Sequence, residues 1–518
     1  MYSKNARKFS AKVTLGLFLC GLLVLTACAP YIREFTPEEG PVGTEVTIRG
    51  SRFEDTAAAN TVKFHGVTVP TTDIVSASTT EIRARVPPGA ETGLITVTSS
   101  KGTGESKKNF IVSSVTQWTF MVYLDADNNL EGAGIDDFLE MASVGSSAAV
   151  NIVVQMDRVA GYTSSYGNWT DTRRFLIQNG DDPSGTPVQN LGEQNMGDPA
   201  VLQAFVEWAV TNYPAEHYAL IIWNHGDGWR YQRETMLEMA RTAEERGESD
   251  WAVAKGVATD ETDGDKLYMK EVQTALETAK QRLEERHNTV VKLDVVGFDA
   301  CLMQLVEVAY ALRNAANYVV GSEYTEPFNG WPYDPILAAL VATPSSSPEN
   351  LASIIVTEYV SSYSASDVTQ SAVDMAEIGD LYTKINAFTN QANAEWDKLK
   401  TARNNSREYH SYLCGPYCWG VDVWDFANRV NSLVTSSSIQ AAALDLRNAV
   451  DDFVIAEGHG SGMSGSHGIA IYFPATQTVF NNDPDHTGYE QSNTFMPVDF
   501  VTYANWDNWL QDFYSNIP

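Results

Sequence analysis

The chain has 518 residues, more than one ordinary hydrophobic core organises, so two or three domains are expected. An apolar content of 43%, with 23 Tyr and 12 Trp, excludes a disordered polypeptide. Sixty-six acidic residues against 35 basic give a formal net charge of -31, which speaks against nucleic acid and anionic lipid headgroups as partners unless a local basic patch exists.

Residues 1–27 read as a targeting segment. Lys4, Arg7, Lys8 and Lys12 give a basic start, and Val13 to Leu25 an apolar stretch shorter than the ~20 residues a permanent membrane helix needs. The stretch ends Leu25-Thr26-Ala27-Cys28, which resembles a bacterial lipobox. That resemblance implies export, cleavage before Cys28, lipidation of Cys28 and anchoring to a bacterial membrane. Ala29 in place of Asp points to the outer membrane or cell surface. An ordinary secretory signal with an incidental Cys is the alternative.

From Tyr31 to Ser113 short Val/Ile/Thr runs are spaced by Gly and Pro, as in Thr44-Glu-Val-Thr-Ile48 and Gly93-Leu-Ile-Thr-Val-Thr98. This spacing predicts a small antiparallel β-sandwich. Pro37 to Gly50, followed by Phe53, is similar to the opening of IPT/TIG domains, so 32–113 is assigned to that immunoglobulin-like class. A spacer role is expected, with carbohydrate or protein binding as the alternative.

Residues 116–518 alternate strand and helix. Thr119–Leu124, Asn151–Met156, Arg174–Gln178, Tyr218–Trp223, Leu293–Phe298 and Tyr318–Gly321 read as strands, and Ile135–Ala142 and Pro199–Thr211 as helices. The pattern predicts an α/β fold with a mostly parallel sheet covered on both faces. Beyond Pro335, helices are expected at 350–363, 374–401 and 436–454, a returning strand at 468–473, and a terminal helix carrying Trp506 and Trp509.

The strand Leu293-Asp-Val-Val-Gly-Phe298 precedes Asp299-Ala-Cys301, after which Leu302, Leu305, Val306, Ala309 and Leu312 recur at helical spacing. A helix is therefore expected to start at Cys301, with Asp299 as its cap and the helix dipole favouring thiolate. The strand Tyr218-Ala-Leu-Ile-Ile-Trp223 likewise ends near His225, followed by a glycine-spaced turn. If the two strands are parallel neighbours, an imidazole and a thiol converge at their carboxyl ends, where ligands bind in open α/β sheets. His225 then serves as base and proton donor, Cys301 as nucleophile, and the Gly226 N–H as an oxyanion donor. Against this, a buried Cys often serves only as a small hydrophobe. Cys414 and Cys418 lie close together and form a candidate disulfide, which leaves Cys301 without an obvious mate.

Four ordered stretches carry a further resemblance: Trp118-Thr-Phe-Met-Val-Tyr-Leu-Asp-Ala-Asp-Asn-Asn-Leu-Glu131, Trp223-Asn-His-Gly-Asp-Gly-Trp229, Phe298-Asp-Ala-Cys-Leu-Met303 and Ser322-Glu-Tyr-Thr-Glu-Pro-Phe-Asn-Gly-Trp-Pro-Tyr333. Together they resemble the clostripain-like cysteine peptidases of caspase-type fold. The resemblance implies a caspase-like α/β/α sandwich over 116–518, a His225–Cys301 dyad, and an oxyanion hole from the N–H groups of Gly226 and Cys301. It further implies a substrate pocket for Arg or Lys built on Asp299. Relatives often carry an acidic residue where this chain has Asn329, which bears on strict Arg preference. Self-cleavage at a basic residue of the charged run 230–255 is implied too.

No cofactor is required by this reading and no metal ligand set is assigned, although calcium is a candidate for Asp260-Glu-Thr-Asp-Gly-Asp265, where an acidic turn is the alternative. Protein or peptide substrates and a monomeric state are expected. The competing readings are an inactive surface-binding protein and an amidase acting on cell-wall peptides. His459 and His467 are second-choice histidines, and no third residue orienting His225 is identifiable. The polar stretch 125–131 is expected to be a strand-end loop near the site.

Overall fold

The computed structural model describes residues 29–87, 89–113, 116–230, 257–287, 292–409, 419–483, 485–490 and 499–517. The chain divides into two compact units, 1–115 and 116–518.

In the first unit two sheets face each other. Strands Tyr31–Thr36, Glu45–Ser51, Glu81–Arg85 and Ile74–Ala77 form one, and the other is built around Gly102–Val112, Gly93–Ser99 and Thr61–Phe64. Alternate residues point inward, among them Val46, Ile48, Val62, Phe64, Ile82, Ile95 and Val97, and close one core between the sheets. The sandwich is as expected, except that Glu39–Gly40 runs parallel to Ile111–Val112.

The second unit is organised by a nine-stranded sheet. Its strands are β1 (Trp118–Ala126), β2 (Val150–Arg158), β3 (Thr172–Leu176), β4 (Gln189–Gly192), β5 (His217–Trp223), β6 (Leu293–Asp299), β7 (Ala316–Gly321), β8 (Thr369–Asp374) and β9 (Val454–His459). Their spatial order is 4-3-2-1-5-6-7-8-9. The five central strands are mutually parallel, and two antiparallel strands extend each edge.

Burial on both faces explains the unbroken apolar runs in the sequence. Along β1, Phe120, Val122 and Leu124 meet one core, and Met121 and Tyr123 the other. The first core is covered by α1 (Glu131–Val144), α5 (Tyr333–Ala342) and α6 (Pro348–Ser362). The second lies beneath α2 (Pro199–Asn212), α3 (Met269–His287), α4 (Val306–Leu312) and the C-terminal helices, including Trp506–Asn516 with Trp506 and Trp509 buried. Local signals fix the starts of two helices: the Asp198 side chain caps α2 and Ser347 caps α6, each followed by Pro at the first helical position.

Beyond residue 335 the structure adds detail and makes one correction. The helix proposed for 374–401 is two helices, Ile378–Gln391 and Trp396–Asn405, separated at Glu395, which adopts φ 55°. The strand expected at 468–473 is present as Ala470–Tyr472, in a separate three-stranded sheet with Glu408–Tyr409 and Gly420–Asp422. The edge strands β8 and β9 were not expected as strands at all.

Candidate active site

Strands β5 and β6 pair in parallel with Trp223 opposite Asp299. His225 and Cys301 each lie two residues beyond that pair, so both leave the sheet at the same level on its carboxyl edge. The turn after His225 lies directly on the cysteine backbone. A Cβ on Gly226 would collide with the Cys301 carbonyl oxygen and stand 2.9 Å from the Cys301 nitrogen. Only glycine fits that approach. Among the described residues the Gly226 N–H has no hydrogen-bond acceptor.

Cys301 is not in a helix. The N–H of Leu302 donates to the Tyr324 carbonyl (2.9 Å) and that of Gln304 to the Ser322 carbonyl (3.0 Å), so the chain after β6 runs alongside the segment after β7. Helix α4 begins only at Val306. The reversal is taken at Leu302, which holds φ 63°, an uncommon conformation for a bulky side chain. The expected dipole therefore does not act on the thiol. Burial pushes the Cys301 thiol up to about 12; the N–H of Glu326, which donates to Sγ at 3.3 Å, opposes this, while the carboxyls of Glu326 and Asp299 add to it. Asp299 closes β6 and caps nothing.

His225 has a partner that sequence reasoning missed. Its Nε2 lies 2.8 Å from Oδ1 of Asn129, in the loop after β1. With the amide oxygen facing Nε2, that nitrogen carries the proton and Nδ1 holds the lone pair. Burial, reinforced by the charge of Lys266, lowers the imidazole to about 4, so the ring is neutral at pH 7.

The Asn129 loop is tightly held. The Asn224 side-chain amide donates to the Asp125 carboxylate (2.7 Å), and that of Asn128 donates to the Thr259 carbonyl (3.1 Å). Glu131, which opens α1, is ion-paired with Arg158 at 2.8 Å, and both are fully buried. Breaking such a pair costs about 3–5 kcal/mol. The loop consequently enters α1 from a fixed position.

Beside the cysteine lies a cluster of carboxyls. Oδ2 of Asp299 accepts from the Trp331 N–H (3.1 Å) and the Tyr333 hydroxyl (2.9 Å). A Cβ on Gly330 would stand 2.9 Å from Asp299 Oδ2 and 3.2 Å from Asp137 Oδ2, and Gly330 itself has φ 59°. Asp137 accepts from the Trp223 indole at 2.6 Å, and Glu140, one turn along α1, accepts from the Tyr333 N–H at 2.9 Å. Burial raises Asp137, Asp299 and Glu326, and moves Glu140 to about 7. Among the described residues no Lys or Arg pairs with any of the four. Asn329, the other expected pocket residue, stands exposed in the turn just before Gly330.

A second acidic group comprises Asp127, Asp157, Glu193 and Asp260, whose carboxyl oxygens lie within 4.8 Å of one another. Burial raises Asp260 to about 6 and Glu193 to about 7. Only Asp260 of the expected Asp260–Asp265 stretch belongs to this group; Asp265 instead accepts from Asn195 (2.9 Å).

The remaining candidates fall elsewhere. His459 is bound to Glu457 on edge strand β9, and His467 stacks on Trp424 with its Nδ1 at the Gly465 carbonyl. Arg230, at the head of the charged run, is buried between Asp227 and Asp483, and so is not a solvated cleavage position. Residues 231–255, Cys28, Cys414 and Cys418 lie outside the described residues.

The sequence profile of the clostripain family matches residues 122–515, and that of the IPT/TIG domain residues 30–120. Clostripain from Hathewaya histolytica is 32% identical over 247 residues, 43% of this chain and 42% of the relative, so the match spans less than half of that protein. A secreted C11 cysteine protease from Bacteroides thetaiotaomicron, solved with an irreversible peptide inhibitor, has a TM-score of 0.53 at 21% identity. It covers 75% of this chain and 99% of that one. An inactive zymogen C11 protease from Parabacteroides distasonis scores 0.52 at 18% identity, covering 78% and 100%. These two structures share the fold of the second unit. With the family profile running over well more than half of the sequence, through the strand ends that carry His225 and Cys301, the chain belongs to the clostripain family.

Proposed function

We propose that the protein is a cysteine endopeptidase that cleaves after Arg or Lys through a His225–Cys301 dyad. The observation that carries this reading is the Trp223–Asp299 register, with imidazole and thiol two residues beyond it and Gly226 packed on the Cys301 backbone. The ground state is a neutral pair, thiol and imidazole. Substrate binding brings the scissile carbonyl to Sγ, and the thiol proton passes to His225 as the S–C bond forms. The oxyanion is held by the N–H groups of Gly226 and Cys301. Collapse breaks the C–N bond, and the imidazolium gives its proton to the departing amine. The imidazole then takes a proton from water, which attacks the thioester and returns the thiol. Asn129 keeps the ring oriented throughout.

Specificity is assigned to Asp299, whose carboxyl suits the fork of a guanidinium or the point charge of an ammonium. The expected result with P1-varied fluorogenic peptides is preferential cleavage after Arg and Lys, lost by at least about 10³-fold in Cys301→Ala, as for removal of other nucleophiles. Equal activity in the variant, or no cleavage of any peptide, would contradict the reading.

Calcium fits the second acidic group, since hard cations take clustered carboxyl oxygens. Asp127, Asp157, Glu193 and Asp260 would hold it, and its charge would steady the loop that carries Asn129. The sign of the pH effect follows from the raised carboxyls. Asp260 and Glu193 bind protons more tightly folded than unfolded, so without metal stability falls as pH rises from about 4 to about 7. Melting curves in chelator should show this decline. Added calcium should reverse it at pH 7, and Asp157→Asn should abolish the reversal; a melting temperature indifferent to calcium would refute the assignment.

For location, we propose export by residues 1–27 and lipid attachment at Cys28, on the lipobox resemblance of residues 25–28. No described helix is long and apolar enough to cross a membrane. Palmitate labelling in a bacterial host should depend on Cys28, and labelling that persists in Cys28→Ser would exclude it.

A further inference from the structure

Asn329 brings no charge to the carboxyl cluster beside Cys301, yet that cluster is not short of acid. Glu326 stands in the same segment. Its N–H is the donor to Cys301 Sγ at 3.3 Å, which ties its backbone to the atom that would attack substrate. Its Oε1 accepts a long bond from the Trp331 indole, 3.4 Å, and among the described residues no N–H or hydroxyl donates to its buried Oε2, which leaves the carboxyl of Asp299 as its neighbour. Burial and the carboxyl of Asp299 beside it raise Glu326, and burial raises Asp299, so a proton held between the two carboxyls relieves their repulsion.

A second group in the pocket is also unsatisfied. Tyr359, on α6, is completely buried, its hydroxyl has no hydrogen-bond partner among the described residues, and it lies near enough to Glu326, Asp299 and Cys301 for their charges to raise it. Buried polar atoms left unpaired are uncommon, and a missing ligand is one explanation for them. The charged and titratable groups around the Asp299–Glu326 pair come from several elements. Asp299 lies at the end of β6, Asp137 and Glu140 on α1, Tyr333 at the start of α5, and Tyr359 and Tyr363 on or just beyond α6. None is a cation.

Resting on the peptidase reading above, we propose that Glu326 is a specificity-determining residue, the second carboxylate that receives the cationic P1 side chain together with Asp299. Both carboxyls then accept from one guanidinium or ammonium, and Tyr359 gains a neighbour for its hydroxyl. Entry of the cation expels the proton that the two carboxyls share. Binding of a P1 cation therefore releases a proton and strengthens as pH rises, whereas an uncharged side chain of the same shape gains nothing.

The test separates binding from turnover. In Cys301→Ala, calorimetry with N-acetyl-arginine methylamide and its citrulline analogue reads the pocket alone. Adding Glu326→Gln should weaken arginine binding on the order of 10- to 100-fold, the range for a hydrogen bond to a charged group, and leave citrulline unchanged. Arginine binding should tighten from pH 5 to pH 8 with Glu326 present and flatten without it, and Glu326→Asp should recover part of the affinity. A merely structural role would depress both ligands alike and leave the pH slope intact, which would overturn the proposal, as would unchanged arginine binding in Glu326→Gln. Should the binding differences hold while the wild-type enzyme cleaves no peptide, Glu326 keeps its role and the peptidase reading falls. Should the Glu326→Gln enzyme, with Cys301 in place, cleave Arg peptides as well as the wild type, the reverse holds.

Discussion

The site depends on one piece of sheet geometry, the parallel, in-register pairing of His217–Trp223 with Leu293–Asp299. Parallel strands discharge their chains on the same edge, and neighbouring strands do so about 4.8 Å apart. Two residues past the last paired position is far enough for each side chain to clear the sheet, and too near for the two to lose each other. A shift of one residue in either strand would turn one of the two side chains to the opposite face. Burial on both faces fixes the register, because Leu220, Ile222, Val296 and Phe298 meet one core and Ala219, Ile221 and Val295 the other.

That frame is occupied by groups that are costly to bury. A neutral imidazole, a protonated thiol and a set of carboxyls without counter-ions among the described residues all sit at the same edge. Each is held in the form that folding tolerates rather than the form that chemistry uses, which is the pattern expected where function rather than stability has chosen the residues. Glycine at 226 and 330 lets backbone come within contact distance of Cys301 and Asp299, and Leu302 accepts a strained dihedral to turn the chain away. The rigid elements behind them, β1, β5 and β6, carry that load.

Much of this was legible in the sequence because the dominant signals are local. Apolar runs that end in His-Gly or Asp-Ala-Cys mark strand ends, and alternation of strand and helix marks the sheet, so the convergence of His225, Gly226, Asp299 and Cys301 at one edge of it was legible in the sequence. What escaped was set by contacts between distant segments. Helical spacing after Cys301 was misleading, because Leu302 and Leu305 are buried in an extended stretch fastened to residues 322–324. That same error reversed the sign expected for the thiol. Asn129 lay within a loop already expected near the site, but nothing local pairs an amide at 129 with a ring 96 residues later. Glu326 lay within one of the four family stretches and went unread, since its meaning comes from Asp299 on another strand.

The central claim is spatial, and a bifunctional alkylator tests it most directly. Dibromoacetone reacts first with a thiol and then, through its second bromide, with a nucleophile within a three-carbon span. Peptide mapping of the treated protein should show Cys301 bridged to His225, with the bridge absent in His225→Ala. Cys301 modified but bridged to another residue, or carrying a hydrolysed single adduct while His225 stays free, would contradict the account.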